Sequence, residues 1–538
     1  MPTLPEELLA LIFEQVASPG MLEVDAQLDE LDEQDETENR SILMLDHSAR
    51  ISTLRNICLA SKTLHRLAWP ILYREFSNRQ TKDMEGKGEE PGYETATRKL
   101  LRTICLTPHY GLALRNLLIR AWVPVEAMRS EELFDLLQSD ATVSALFQWR
   151  ARGFWFQEPK FIDSLHRALG LGHEDGLVTL LLIMCPNLKE LEFEPPIDFD
   201  RSVFLYLLGI VQSPQFQEES LPEMEPDFEQ EEADYIIAQM FGAPWPNQRW
   251  CKPLFLQSLS KLTLWSPGLA DLDMECIVKI LTLPSLVSFK VYGMNFGYGR
   301  AKVHQAFNSI MRDSNLRRLE LLEISTGSGI LAAILQFCPE LEEFGVVWDE
   351  PRPTGDYCLW YGDISESLGK FTPRLRRLTL DGSHGWENGD AEPHFPFTIG
   401  DKLDSLANLE HLTLDPHAIY GSEYGFFGSG LAANVPKSVT NLTLVTAHFD
   451  TENDQIKEYH AWQDKDLVAF LQDPTFDCLS DVHLSRRLSR SQFSAQDQAA
   501  VEKHGWKRLL EPGDETSVRL VNPSRSRIDR GPSITRTT

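Results

Sequence analysis

The segment STGSGILAAIL, starting at Ser325, sets glycines between an expected strand and an expected helix, where backbone N–H groups can cradle a phosphate. Its spacing fits neither GxGxxG nor the Walker pattern and the lysine is missing, so a turn between repeated elements accounts for Gly327 and Gly329. His384, His394, His411 and His417 crowd one region, yet no HExxH or comparable ligand spacing joins them. The eight cysteines are scattered, without a CxxC pair or a zinc-like spacing, and read as reduced thiols of an intracellular chain. Cys185 and Cys338 each precede a proline and an expected strand at equivalent places, which points to packing rather than reactivity. Asn441 begins an Asn-Leu-Thr sequon, but on an expected strand, so it is expected to be unmodified. No nucleophile, base and orienting group can be assembled. The expectation is a non-catalytic chain with no cofactor and no metal.

Composition narrows the partners. The chain has 538 residues and a formal net charge of -29, which disfavours binding through phosphate neutralisation, so no nucleic-acid partner is expected. The longest apolar run, GLVTLLLIMCPNL from Gly176, falls short of the roughly 20 residues of a membrane span. A soluble protein of cytoplasm or nucleus, with no membrane contact, is expected.

The elements that could position a binding surface begin at the N-terminus, with TLPEELLALIFEQV. Thr3 and Glu6 form a capping box, and Pro5 has the φ of a first helical turn. Leu4, Leu8, Leu11 and Ile12 make one apolar stripe, and Leu9, Phe13 and Val16 make a second, turned away from the first. Glu6, Glu7 and Glu14 interrupt the run and exclude a signal peptide. Two stripes fit either a plain core helix or a helix that buries one stripe in its own fold and the other in a partner. STLRNICLASKTLHRLAWPILYREF, from Ser52 to Phe76, is again helical and apolar.

Together, LPEELLALIF and LRNICLASKTLHRLAWPILYREF resemble an F-box, most closely those of filamentous fungi, over roughly the first 80 residues. The resemblance implies that Leu4, Pro5, Leu8 and Ile12, with Leu59 and Leu64, dock the Skp adaptor of a Skp, cullin and F-box (SCF) ubiquitin ligase. The link between the two parts departs from the family's short one: Met21 to Arg50 is long and rich in Asp and Glu, and is expected to be a solvated insert.

Beyond residue 100 a phrase of the form L-x-x-L-x-L recurs, at Leu114, Leu188, Leu259, Leu286, Leu316, Leu341, Leu375, Leu409, Val439 and Leu479, mostly after a helix-compatible stretch. A short strand and a helix in repetition are the mark of a leucine-rich repeat, in which parallel strands stack and the first, fourth and sixth places point inward. The spacings are long, and Ser383, His417 and Ala447 stand where Asn or Cys would form a buried ladder. The expected architecture is therefore α/β: a helical F-box over residues 1–80 with an acidic insert at 21–50, then an irregular solenoid over 81–512 with strands on the concave side and helices on the convex side. An acidic loop at about 215–250 and an unstructured basic tail at 513–538 complete it.

Alternation turns the third, fifth and seventh places outward. The seventh places read Glu194, Trp265, Tyr292, Leu322, Val347, Asp381 and Asp415. The four apolar ones, beside Lys261, Lys290 and Arg318, suit capture of a target protein with an acidic segment and apolar anchors. The alternative is that long loops such as WDEPRPTGDYCLWYGD bury them as core. The function implied is a substrate receptor that joins a target to cullin through the Skp adaptor. The rival readings are a non-degradative adaptor-bound scaffold without cullin and an uncharacterised enzyme on a repeat scaffold.

Overall fold

In a computed structural model, the structure describes residues 5–17, 49–78, 96–119, 174–194, 254–269, 277, 280–294, 314–324, 326, 328–348, 361–382, 399, 403, 405–420, 430–445, 454–485, 495–509 and 518–525. Leu4, most of the acidic insert at 21–50, the loop at 215–250, His384 and His394 lie outside them. The described residues fall into two compact units, within Met1–Trp265 with Leu283–Leu286, and within Ser266–Thr282 with Val287–Thr538. Both are α/β, with mostly parallel strands.

The first unit opens with three helices, α1 (Glu6–Ala17), α2 (residues 49–60) and α3 (Lys62–Leu72). Ser61 starts α3 by accepting the Leu64 N–H on its hydroxyl at 3.2 Å. Phe13, Leu54, Ala68 and Ile71 form the buried centre of this bundle. Strands β1 (Glu75–Ser77), β2 (Asn116–Ile119), β3 (Glu190–Phe193) and β4 (Lys261–Leu269) then pair in sequence order, all parallel. The sheet thus begins inside the segment 1–80 assigned to the helical module, because the chain leaving α3 extends at once. Helix α4 (Ala96–Leu106), α5 (His109–Ala113) and α6 (Glu174–Met184) lie between strands in the chain. Every residue of α6 is buried, the apolar run towards its C-terminal end together with Glu174, Asp175 and Thr179. At Gly111 a Cβ would come 2.5 Å from the Met184 carbonyl oxygen, so the close approach of α5 to the end of α6 requires glycine there.

In the second unit β5 (Ser288–Met294), β6 (Arg318–Ile324), β7 (Glu343–Trp348), β8 (Arg377–Asp381), β9 (His411–Leu414), β10 (Asn441–Val445) and β11 (Asp481–Ser485) are likewise parallel neighbours in order. The connections carry helices such as α7 (Ser328–Gln336), α8 (Tyr361–Phe371) and α9 (Asp454–Gln472). Gly329 lies inside the first turn of α7, not in the preceding turn, and Gly327 lies outside the described residues.

The recurring phrase is one rung of this arrangement. The residues at its first, fourth and sixth places are buried in every described case, for example Leu378 at 1% and Leu375 and Leu380 at 0% exposure. The carbonyl at the second place accepts two N–H groups from the following rung. Arg376 O takes Glu410 N at 2.8 Å and His411 N at 2.9 Å, and Glu410 O takes Thr440 N at 2.8 Å and Asn441 N at 3.1 Å. The first-place N–H closes a tight turn onto the carbonyl three residues back, as in Leu341 to Cys338 and Leu188 to Cys185. Both cysteines are fully buried in that turn, and burial pushes the Cys185 thiol up, which leaves it inert.

Two expectations are corrected. The segment 513–538 is not wholly an unstructured tail: β12 (Lys507–Leu509) and β13 (Val518–Val521) pair antiparallel, and β13 pairs antiparallel with β11. Alternation of Val518 and Leu520 inward, with Arg519 bridging to Asp481 at 2.6 Å, accounts for this strand, which an Arg and Ser count hides. The seventh places do not all face outward either, since Asp381 and Asp415 are buried at 8% and 0% exposure. After Asp415 the chain enters a short helix, Pro416–Tyr420, at once.

Within β9, Leu412→Ala should cost about 2–5 kcal/mol, whereas the adjacent outward Thr413→Ser should stay within about 0.5 kcal/mol. Urea unfolding of the two variants checks the inward and outward assignment.

Candidate functional site

The helical bundle presents the clearest unsatisfied apolar surface. On α1, Leu9, Phe13 and Val16 pack into the bundle core, while Leu8, Leu11 and Ile12 are 46%, 61% and 46% exposed. The two stripes separate as their spacing demands, and the outer one faces water. Burying the exposed half of each such side chain would supply on the order of 1 kcal/mol. Pro5 is exposed at the start of α1, where its carbonyl accepts the N–H groups of Leu8 and Leu9 at 3.1 and 3.2 Å. Leu59, at the end of α2, is 78% exposed, and Ile51 on the same helix is exposed as well. Leu64, named with these residues in the sequence, is instead partly buried against the bundle core. Leu11 and Ile51, which the resemblance did not mark, join the exposed set.

Charged contacts hold α1 to the rest of the bundle. Arg66 reaches Glu6 at 2.5 Å, and Arg74, two residues past α3, takes Glu14 in a two-pronged contact at 2.6 and 2.5 Å. Hydrogen bonding to Glu14 raises the Arg74 guanidinium above its ordinary value. Both pairs are about 40% exposed or more, so each adds only about 0.2–1 kcal/mol, and the apolar core supplies most of the cohesion. Tyr73 stacks on Tyr110 with centroids 4.2 Å apart, and Trp69 meets His109 edge-on at 4.8 Å, which ties α3 to α5.

The outward strand residues form separate sets in the two units. In the first, Lys261 is exposed and pairs with Glu190 at 3.4 Å, and the half-buried Trp265 donates its indole N–H to Glu192 at 2.8 Å. In the second, Lys290, Tyr292, Leu322 and Val347 are half-buried and Arg318 is exposed. Tyr292 and Leu322 are register partners, and a bulge after Leu321 interrupts the pairing with β7. Glu323 in that bulge takes φ 53, a conformation that costs a non-glycine residue about 1 kcal/mol or more. The cations are already matched: Lys290 lies 3.5 Å from Glu320, and Arg318 lies 2.6 Å from Glu320 and 3.4 Å from Glu343. An acidic segment would have to compete with these carboxylates. The loop 349–360 lies outside the described residues.

His411 shares a hydrogen bond with Asn441 at 2.9 Å, which occupies both the histidine and the sequon asparagine, and burial lowers the His411 pKa. Among the described residues no group of His, Cys, Asp and Glu is arranged to hold a metal ion, and no helix is long and apolar enough to cross a membrane.

A fully buried carboxylate with a perturbed pKa lies inside the second unit. Asp415 accepts the Gly382 N–H and the Ala418 N–H, each at 3.0 Å, together with the Tyr361 hydroxyl. It thereby links consecutive rungs where the expected asparagine ladder is missing. Burial, opposed by the Tyr361 hydrogen bond and reinforced by Asp381, raises its pKa to about 6. Burial, with the charge of Asp415, pushes Tyr361 well above its ordinary range. No family model matches the chain, and no curated protein matches it.

Because the folded-state pKa of Asp415 lies above the unfolded value of about 3.9, the native state holds this proton more tightly. Its contribution to stability is full below pH about 4 and is lost as pH rises through about 6. Urea stability of the wild type should therefore fall across this window by up to about 3 kcal/mol relative to Asp415→Asn, which cannot ionise. Parallel pH curves for the two proteins would reject this account.

Proposed function

We propose that the chain is a substrate-recognition subunit of an SCF-type ubiquitin ligase, working in the cytoplasm or nucleus without catalysis of its own. The helical bundle acts as an F-box that docks the Skp adaptor and, through it, cullin. The strand and helix rungs act as an irregular leucine-rich-repeat solenoid that captures a target protein. The observation that carries this reading is α1, which packs one apolar stripe and leaves Leu8, Leu11 and Ile12 to solvent in a segment that resembles an F-box. A helix with that division of labour has a second apolar surface to bury, and a partner protein is the economical occupant. Leu59 and Pro5 belong to the same docking set, and Leu64 supports it from the core. Target capture is assigned to the outward strand residues Lys261 and Trp265, and to Lys290, Tyr292, Arg318, Leu322 and Val347.

Leu8→Asp with Ile12→Asp should abolish copurification of the Skp adaptor, because each charge would be forced into a dry contact at a cost of several kcal/mol. Since both side chains are exposed in the free chain, folding should be unaffected, which circular dichroism and the melting temperature check. Adaptor retained by the folded double variant would sink the F-box assignment, and adaptor recovered without cullin would favour a non-degradative complex.

A further inference from the structure

Arg74 occupies two structures at once. Its guanidinium grips Glu14 on α1 through both nitrogens, at 2.6 and 2.5 Å. Its carbonyl accepts Arg115 N at 2.8 Å and Asn116 N at 3.1 Å, the same double acceptance that Arg115 and Lys189 provide at the next two rungs. Arg74 is therefore both the clasp on the docking helix and the first rung of the sheet. Glu75, the next residue, opens β1 and carries the Asn116 side chain at 3.0 Å.

The charged residues that hold α1 to the rest of the bundle are far from it in sequence, Arg66 and Arg74 each 60 residues from their partners Glu6 and Glu14. The apolar contacts of Leu9, Phe13 and Val16 pack α1 onto the bundle, and the bidentate guanidinium and carboxylate pair adds a contact with a specific planar geometry. The ion pair is too exposed to matter much for stability. What it can set is geometry.

We propose that Arg74 is the positioning residue that holds the docking helix at one angle to the first strands of the sheet, so that a partner gripped by α1 is presented in a fixed orientation to the rungs of this unit. The inference rests on the docking role assigned to α1 above. It separates gripping, done by Leu8, Leu11 and Ile12, from aiming, done by Arg74 and Glu14.

The test uses the full chain with bio-orthogonal spin labels at Gln15 on α1 and Lys189 before β3, both exposed. Pulsed electron paramagnetic resonance should give one narrow distance in the wild type, a broadened distribution in Arg74→Met and in Glu14→Gln, and a narrow one again in the swapped pair Glu14→Arg with Arg74→Glu. Glu14→Gln leaves the Arg74 rung in place, so it carries the comparison if Arg74→Met fails to fold. Affinity for purified Skp adaptor should stay within about fivefold of wild type in all three variants, since the apolar face is intact. Single variants as narrow as wild type, a swap that does not restore the narrow distance, or a larger loss of adaptor affinity would overturn the proposal. A wild-type chain that does not bind the adaptor would sink the docking role instead, whatever the distances.

Discussion

At Arg115, Lys189, Val287, Arg317, Glu342, Arg376, Glu410 and Thr440, the second place of the repeated phrase, one carbonyl oxygen accepts two N–H groups from the next rung, and the register follows from that bond pair. Fixing the second place fixes the fourth and sixth, because side chains alternate along a strand and a slip of one residue would turn every leucine to water. The inward trios then stack on their neighbours, as Leu378 does against Leu412 and Leu412 against Leu442 by register. No rung could bury its trio alone, so the hydrogen bonds choose the alignment and the apolar contacts supply the stability.

Much of this was legible in the sequence, since leucines at the first, fourth and sixth places are a local signal with a local cause. The two stripes of α1 were legible for the same reason, and their separation into a packed and an exposed face agrees with helical periodicity. What stayed hidden depends on contacts distant in the chain. Asp415 reads as an outward charge until Tyr361 and Gly382, 54 and 33 residues away in the chain, are brought onto it beside its local partner Ala418. Leu64 reads as a docking residue until α3 is set against α1. Val518–Val521 reads as tail because its apolar alternation is short and sits in basic, serine-rich surroundings.

The two kinds of ion pair described here differ in consequence. Along the strands, Glu343 sits between Arg318 at 3.4 Å and Arg377 at 3.8 Å, so charge is balanced across neighbouring rungs and the net charge of -29 is not spread evenly over the sheet. At α1 the pairs join elements far apart in sequence, and their value lies in direction rather than in energy.

The antiparallel strand β13 changes the pattern at β11. There the second-place carbonyl of Ser480 receives a single N–H, from Asn522 at 2.9 Å, instead of the pair that a parallel rung would bring. Beyond it β12 is only three residues long, with Lys507, Arg508 and Leu509 all exposed, which discourages pairing with a further strand. A stack of parallel rungs has no intrinsic length, so copy number can drift by duplication wherever the bonding pattern repeats. Between β5 and β11 a duplicated rung would find the double donor and the double acceptor it needs on either side. After β11 it would not, because β13 already pairs antiparallel there.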